Sequence, residues 1–192
     1  MTYLIFDTET TGKPRDYNAP VSDSENWPRL VQIAWLQYDS SGKQTGSHEH
    51  IIKPQGFVIP DEVVRIHGIS TKRATREGLP LGTVLNEFSE AVKQSMVLVA
   101  HNIEFDEKIV RAELFREDIP DNLVQIKKIC TMRSSTDFCR LPGSYGYKWP
   151  TLADLYARLF STDFEGAHNA VADVAACARS FFELKRLEVI RE

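Results

Sequence analysis

The sequence has few cysteines, no long apolar segment and no excess of positive charge. Each absence excludes a class of protein or a kind of site. Its three cysteines, Cys130, Cys139 and Cys177, are far apart and form no Cys-x-x-Cys pair. A zinc ribbon or a disulfide framework is therefore not expected. No apolar run is long enough to cross a bilayer, and the first predicted strand begins at residue 2, which leaves no room for a signal peptide. We expect a cytoplasmic protein without a membrane partner.

The charge balance restricts the kind of nucleic-acid contact that is possible. The formal net charge of the 192 residues is −4, so no global basic field would hold a long duplex footprint. A pocket that binds only the end of a nucleic-acid strand is still possible, because metal ions could supply the positive charge there. The length and the 42% hydrophobic content predict a single domain over residues 1–192.

The first dozen residues combine a core strand with two carboxylates. Residues 3–6 form a continuous apolar run, which is typical of a strand buried on both faces. Asp7 and Glu9 follow with a spacing of two, which puts both side chains on one face with Cα atoms roughly 6.6 Å apart. Like charges beside a core strand are costly unless a cation offsets them. The pattern alone fits either an oxygen-rich site for a divalent ion or the start of a solvated loop.

The remaining pattern predicts a mixed α/β order. Two strands over 30–38 and 46–53 pair antiparallel with the first, and a helical crossover over 81–94 leads to a parallel strand over 96–100. Further elements are expected at these positions: a short helix 61–66, a helix from about 103 to 116, a strand 126–130, a helix 152–159 and a helix from about 170 to 187. Residues 13–29 read as a long loop, in which Trp27 is either a packing anchor or a base-stacking platform. Residues 127–148 carry a local charge of +4, and 140–148 read as a mobile loop.

Two more acidic positions coincide with core-facing helix positions. Asp106 interrupts the apolar stripe of the helix after residue 102, so it needs a partner unless the helix turns it to the water edge. Asn169 is a good N-cap for the last helix, and Asp173 in its second turn leans back toward the helix start. His168, just before that cap, can share a site with Asp173, although a lone histidine there is more often a surface or capping residue.

Three motifs in order resemble the DEDDh family of 3′–5′ exonucleases, which includes the proofreading epsilon subunit of bacterial DNA polymerase III. They are Phe6-Asp-Thr-Glu-Thr-Thr-Gly12, Ala100-His-Asn-Ile-Glu-Phe-Asp106 and His168-Asn-Ala-Val-Ala-Asp173. Residues 31–34 and 67–69 add secondary matches, so the resemblance spans almost the whole chain. It implies a ribonuclease-H-like fold, in which a five-stranded mixed sheet, three strands antiparallel and then two more, is flanked by helices.

The resemblance also implies the chemistry. Two divalent cations, Mg²⁺ or Mn²⁺, would be held by Asp7, Glu9, Asp106 and Asp173, with Asp7 shared, and His168 would be the general base. The terminal nucleotide would contact the remaining matched positions: Thr10, Thr11, His67, His101, Asn102 and Phe105. The expected partner is a nucleic-acid 3′ end, with a DNA polymerase or replication subunit as a further candidate.

Three alternatives stay open at this point. Within the same chemistry, the enzyme could trim short RNA as an exoribonuclease. A non-catalytic nucleic-acid-binding subunit could retain the fold, and an endonuclease of the wider ribonuclease-H-like group could use similar carboxylates. The loops 12–29 and 133–148 are the expected determinants of substrate choice.

Overall fold

A five-stranded mixed sheet forms the centre of the computed structural model, which describes residues 1–191. The strands are β1 (Tyr3–Thr10), β2 (Leu30–Tyr38), β3 (Gln44–Ile51), β4 (Val97–Ala100) and β5 (Lys127–Cys130), in the order β3-β2-β1-β4-β5. The first three pair antiparallel, whereas β4 pairs parallel to β1 and β5 pairs parallel to β4. The predicted fold class, a ribonuclease-H-like mixed sheet with three antiparallel and two further strands, is confirmed.

Helices cover both faces of the sheet. The first four are α1 (Asp61–His67), α2 (Thr71–Glu77), α3 (Leu81–Lys93) and α4 (Ile103–Arg116), and the last two are α7 (Leu152–Phe160) and α8 (Ala170–Arg186). Alternation along β1 serves both sides, because Leu4 and Phe6 pack with α3 and α4 while Tyr3 and Ile5 pack with α8. By the same alternation, Asp7 and Glu9 at the end of β1 lie on the face that α8 covers.

The segment between β5 and α7 differs from the predicted loop. It contains the one-turn helices α5 (Thr131–Ser134) and α6 (Thr136–Cys139), followed by a ribbon of β6 (Pro142–Gly143) and β7 (Gly146–Tyr147). The Ser135 hydroxyl donates to the Thr131 carbonyl at 2.7 Å, and Cys139 is buried. The loop predicted over 140–148 therefore contains a short ribbon, in which Pro142 pairs with Tyr147 and Gly143 with Gly146, and its mobility stays a prediction.

The long connection between β1 and β2 is fastened at its end by a buried carboxylate. Glu113 of α4 has no exposed side-chain surface, and its Oε1 accepts hydrogen bonds from Leu30 N at 2.8 Å and Arg29 Nε at 2.9 Å. Arg116 adds a second cation, 3.2 Å from Oε2. Trp27 is buried, and its Nε1 donates to the Pro20 carbonyl. Of the two interpretations of Trp27, the packing anchor is the one that holds.

Candidate active site

The carboxylates of Asp7 and Glu9 lie on one face of β1, at the end where the strand leaves the core. Their neighbours in sequence, Phe6 and Thr8, are buried on the other face. The pairing of β1 with β2 shifts register between Glu9 and Thr10, and such an irregularity bends a strand and re-aims its side chains. The central strand thus presents two negative charges at its tip.

Asp173 reaches the same place from the first turns of α8. Asn169 caps this helix as predicted, because its side chain accepts a hydrogen bond from Val171 N. The backbone N–H of His168 donates to Asp173 Oδ2 at 2.9 Å, which fixes the carboxylate toward the helix start. Carboxylate oxygens of Asp7, Glu9 and Asp173 all lie within 4.8 Å of one another.

Asp106 approaches this carboxylate cluster from the opposite face of β1. It is only 4% exposed, so the structure excludes the alternative that places it at the water edge. Its Oδ1 accepts hydrogen bonds from Thr8 N at 3.1 Å and from the Thr8 hydroxyl at 2.7 Å. The side chain is therefore fastened to β1, and it is not among the three residues whose oxygens lie within 4.8 Å of one another.

Without a bound cation, negative charge on these carboxyl groups is unfavourable, because they are buried and close to one another. Burial, followed by repulsion from Asp106, Asp173 and Glu9, raises the pKa of Asp7 well above its ordinary value. Burial and the neighbouring carboxylates raise the pKa of Glu9 to about 7. Burial raises the pKa of Asp106 to about 7 against the opposing hydrogen bonds from Thr8, and it also raises the pKa of Asp173. Stabilising negative charge here requires a cation.

The donor set fits hard divalent ions. Carboxylate oxygens are the ligands that Mg²⁺ and Mn²⁺ prefer, and three of them converge from β1 and α8. A bound divalent ion would offset the mutual repulsion of these carboxylates.

His168 stands at the rim of this cluster in a restricted backbone conformation. Its φ of 67° lies in the left-handed region, which non-glycine residues rarely adopt, and such strain is concentrated at functional sites. The residue is exposed and lines a pocket of about 300 Å³ together with Asp7, Asp173 and His101. The sequence-predicted pairing of His168 with Asp173 in one site is therefore present in space.

Three of the predicted nucleotide contacts have part of their polar groups engaged inside the protein. The Thr10 hydroxyl donates to the Gly12 carbonyl at 2.7 Å, and the Thr11 hydroxyl accepts from Arg29 N at 2.9 Å. His67 is buried, and its Nδ1 accepts from Ile69 N. Burial lowers the pKa of His67, so a neutral ring is favoured beside the backbone of Thr10.

His101 is also built into the fold. Its Nδ1 lies 3.0 Å from the Thr131 hydroxyl and its Nε2 lies 3.0 Å from the Pro150 carbonyl. Burial lowers the pKa of His101 to about 4, so the ring is neutral at pH 7, with Nε2 donating to the carbonyl. Both ring nitrogens are committed to the protein, which makes His101 an element of the pocket wall that joins β4 to the start of α7.

A second pocket opens beside the first and includes residues that the sequence patterns did not single out. It has a volume of about 390 Å³. Asn102 and Phe105, both predicted nucleotide contacts, line it together with Tyr17, Lys108, Met132, Arg133 and Trp149 and with Glu104. Trp149 is 58% exposed and has the Arg133 guanidinium 5.4 Å from its ring. The missed aromatics lie in or beside the two loops expected to select the substrate.

A mixed sheet of this topology, with acidic residues converging at the tip of its central strand, has the ribonuclease-H-like arrangement. A family model described as Exonuclease matches residues 4–181. The chain belongs to this exonuclease family, as the motif resemblance predicted.

Relatives and solved structures are consistent with that membership. The chain is 34% identical over 119 residues to a DNA polymerase III PolC-type of Streptococcus pneumoniae. The matched segment is 62% of this chain and 7% of the relative. It is 31% identical over 182 residues to the PolC-type polymerase of Streptococcus sanguinis, covering 94% of this chain and 11% of that one. E. coli Exonuclease I in complex with a dA16 oligonucleotide has the same fold, with a TM-score of 0.73 and 18% identity over 96% of this chain and 41% of that chain. The chain thus spans well under two thirds of the length of each.

Proposed function

We propose that this chain is a metal-dependent 3′–5′ exonuclease that hydrolyses single-stranded DNA to nucleoside 5′-monophosphates. The observation that carries the proposal is the convergence of Asp7, Glu9 and Asp173 within 4.8 Å beside His168 and an open pocket. Membership of the exonuclease family supports the reaction class. The PolC-type relatives and the oligonucleotide in Exonuclease I support DNA as the substrate.

Each acidic side chain has a distinct task in this proposal. Asp7, Glu9 and Asp173 would hold the more tightly bound of two divalent ions, and Asp7 with Asp106 would serve the second. Because one oxygen of Asp106 is occupied by Thr8, contact through water suits it better than direct ligation. When bound, such ions supply charge stabilisation for an in-line displacement at phosphorus.

His168 would remove the proton from the attacking water. Its exposed position at the pocket rim leaves the imidazole accessible, and its backbone N–H is held by Asp173 Oδ2. A general base must reach the attacking water and must accept a proton from it near neutral pH, and an imidazole side chain is suited to this.

The second pocket would hold nucleotides upstream of the scissile bond. Trp149, Phe105 and Tyr17 offer ring surfaces for stacking, and Lys108 and Arg133 offer charges for phosphates. Stacking on aromatic side chains is tolerant of sequence and suits single strands.

The fold and these pockets are contained in one unit, which we propose acts as a single exonuclease domain over residues 1–192. No helix within the described residues 1–191 is both long and apolar enough to cross a membrane.

A direct assay tests the proposal and its alternatives together. The protein would be incubated with 5′-labelled single-stranded DNA and RNA, with Mg²⁺ or Mn²⁺, beside His168→Ala and the exposed-site control Glu62→Gln. We expect a ladder that shortens from the 3′ end, faster on DNA, retained in the control and lost in His168→Ala. A faster RNA ladder would identify an exoribonuclease instead, and cleavage of a circular single strand would identify an endonuclease. No cleavage with metal present and the fold verified would favour a nucleic-acid-binding subunit of a polymerase complex.

A further inference from the structure

A second cluster of potential metal ligands lies on the other side of the sheet. His48 and His50 alternate on the edge strand β3, so both imidazoles project to the face that packs against α3. Glu87 of α3 projects between them. Trp35, paired with His48 across the strands, belongs to the core layer on this same face.

One carboxylate serves both imidazoles in this histidine–glutamate cluster. His48 Nδ1 is hydrogen-bonded to Glu87 Oε1 at 2.8 Å, and His50 Nε2 lies 3.0 Å from Oε2. The Nε2 atom of His50 is buried, and at this orientation it makes no hydrogen bond of good geometry among the described residues. A buried ring nitrogen without a hydrogen bond calls for an explanation, and ligation of an ion shared with Glu87 would provide one.

The spacing of the donor atoms suits a small tetrahedral ion. One ligand atom from each of the three residues lies within 4.8 Å of the other two. Zinc binds nitrogen and carboxylate oxygen at about 2.0–2.2 Å, which places tetrahedral ligand atoms roughly 3.3 Å apart. The imidazole–carboxylate separations of 2.8 and 3.0 Å involve different oxygens of Glu87, so both sides of the carboxylate face a ring nitrogen, and the side chains would shift to place three donor atoms around one ion.

The surroundings hold the ligands in place and leave room for a further one. The ring of buried Trp35 is stacked on His48, with centroids 4.8 Å apart and planes 7° from parallel, and it also contacts His50 at 5.4 Å. Such support reduces the side-chain entropy lost on binding. A cavity of about 180 Å³ adjoins His48 and Glu87, which is space enough for water as a fourth ligand.

We propose that His48, His50 and Glu87 bind a zinc-type divalent cation that fastens the edge strand β3 to α3. Two imidazoles and one carboxylate favour borderline metals of the zinc class over Mg²⁺, which prefers oxygen ligands. The site is independent of the carboxylate cluster, because β3 is two strands away from β1 and the ligands occupy the opposite face. Its role is to stabilise an otherwise open sheet edge.

Zinc binding can be measured without interference from the carboxylate cluster. We would titrate Zn²⁺ into Asp7→Asn/Asp173→Asn protein in excess Mg²⁺, by calorimetry, and compare His50→Gln and Glu87→Gln in the same background. The control is Glu62→Gln, at an exposed position on α1 and outside the cavity beside His48 and Glu87. We expect one equivalent of Zn²⁺, with affinity at least about tenfold weaker in the two ligand variants and unchanged in the control.

Two independent readouts guard against misfolded variants. Melting in EDTA should give similar midpoints for all four proteins, and Zn²⁺ at about 100 times its dissociation constant should raise the midpoint of the background protein and the control by roughly 5–10 °C. Co²⁺ or Cu²⁺ should quench the Trp35 part of the tryptophan fluorescence through the stacked His48, and in His50→Gln the same quenching should need at least about tenfold more metal. Absent Zn²⁺ binding, or equal affinity in ligand variants and control, would overturn the proposal.

Discussion

The replacement Glu9→Gln should make the metal-free protein more stable at alkaline pH while impairing the metal site. Burial and neighbouring carboxylates raise the pKa of Glu9 from 4.5 to about 7. In the unfolded chain the group ionises at its ordinary value, so the folded state binds more protons between these two pH values. The contribution of Glu9 to stability is therefore present below about pH 4.5 and is lost as the pH rises through 7.

The size of this effect follows from the shift. A displacement of about 2.5 pH units corresponds to a ceiling of roughly 3 kcal/mol. Glu9 is only partly buried, so solvent screening halves this ceiling to about 1.5 kcal/mol. For a chain of this length, 1.5–3 kcal/mol corresponds to a melting-point increase of roughly 4–8 °C for Glu9→Gln at pH 8 in EDTA.

Thermal melts at pH 4.5 and pH 8 provide the assay. The variant should gain stability over the wild type at pH 8 in EDTA, and the gain should vanish at pH 4.5, where the wild-type carboxyl group is protonated in the folded state. Saturating Mg²⁺ should reverse the order, because the ion stabilises the wild type more. Glu62→Gln, at an exposed position on α1, should change neither melt. A Glu9→Gln protein no more stable than wild type at pH 8 in EDTA would refute the electrostatic reasoning.

Three further predictions concern turnover. Asp7→Asn should lower turnover by roughly 10³-fold at unchanged circular dichroism, because it removes a metal-binding charge without disturbing apolar packing; normal turnover would contradict the two-metal assignment. At saturating metal, His168→Ala should lose roughly 10²–10⁴-fold in rate at unchanged circular dichroism, because it removes the proposed general base; turnover equal to that of the wild type would count against this base. Trp149→Ala should raise KM for single-stranded DNA about tenfold with little change in kcat, whereas Phe115→Ala, exposed outside the pocket, should change neither.

The sequence was informative where one residue type had to satisfy a regular pattern. Alternation on β1 placed Asp7 and Glu9 on one face, and the cap at Asn169 placed Asp173 at the start of α8, and the structure brings these three residues together. The patterns also predicted three antiparallel strands followed by two reached through helices, whereas the five-stranded ribonuclease-H-like sheet was implied by the motif resemblance. The features predicted from patterns depend on local periodicity, which is written directly in the chain.

The remainder depended on contacts between distant residues. His101 lies against the carbonyl of Pro150, 49 residues later, and no local pattern announces that bond. The helices α5 and α6 have four residues each, which is too short for a periodic signal, so their segment resembled a loop. Trp149 follows that segment, and its place in the second pocket became visible only once the segment had been positioned.

The buried Glu113 also constrains the order in which the molecule can fold. Its hydrogen bonds join α4 to Arg29 and Leu30, across 83 and 84 positions of sequence. The end of the first long connection therefore cannot settle until α4 has formed and docked, since contacts of large sequence separation form late unless they belong to the nucleus. Tyr17 is carried by that connection, and its carbonyl accepts a hydrogen bond from Lys108 of the same helix. The pocket wall that includes Tyr17 should accordingly be among the last parts to become protected during refolding, after the central strands.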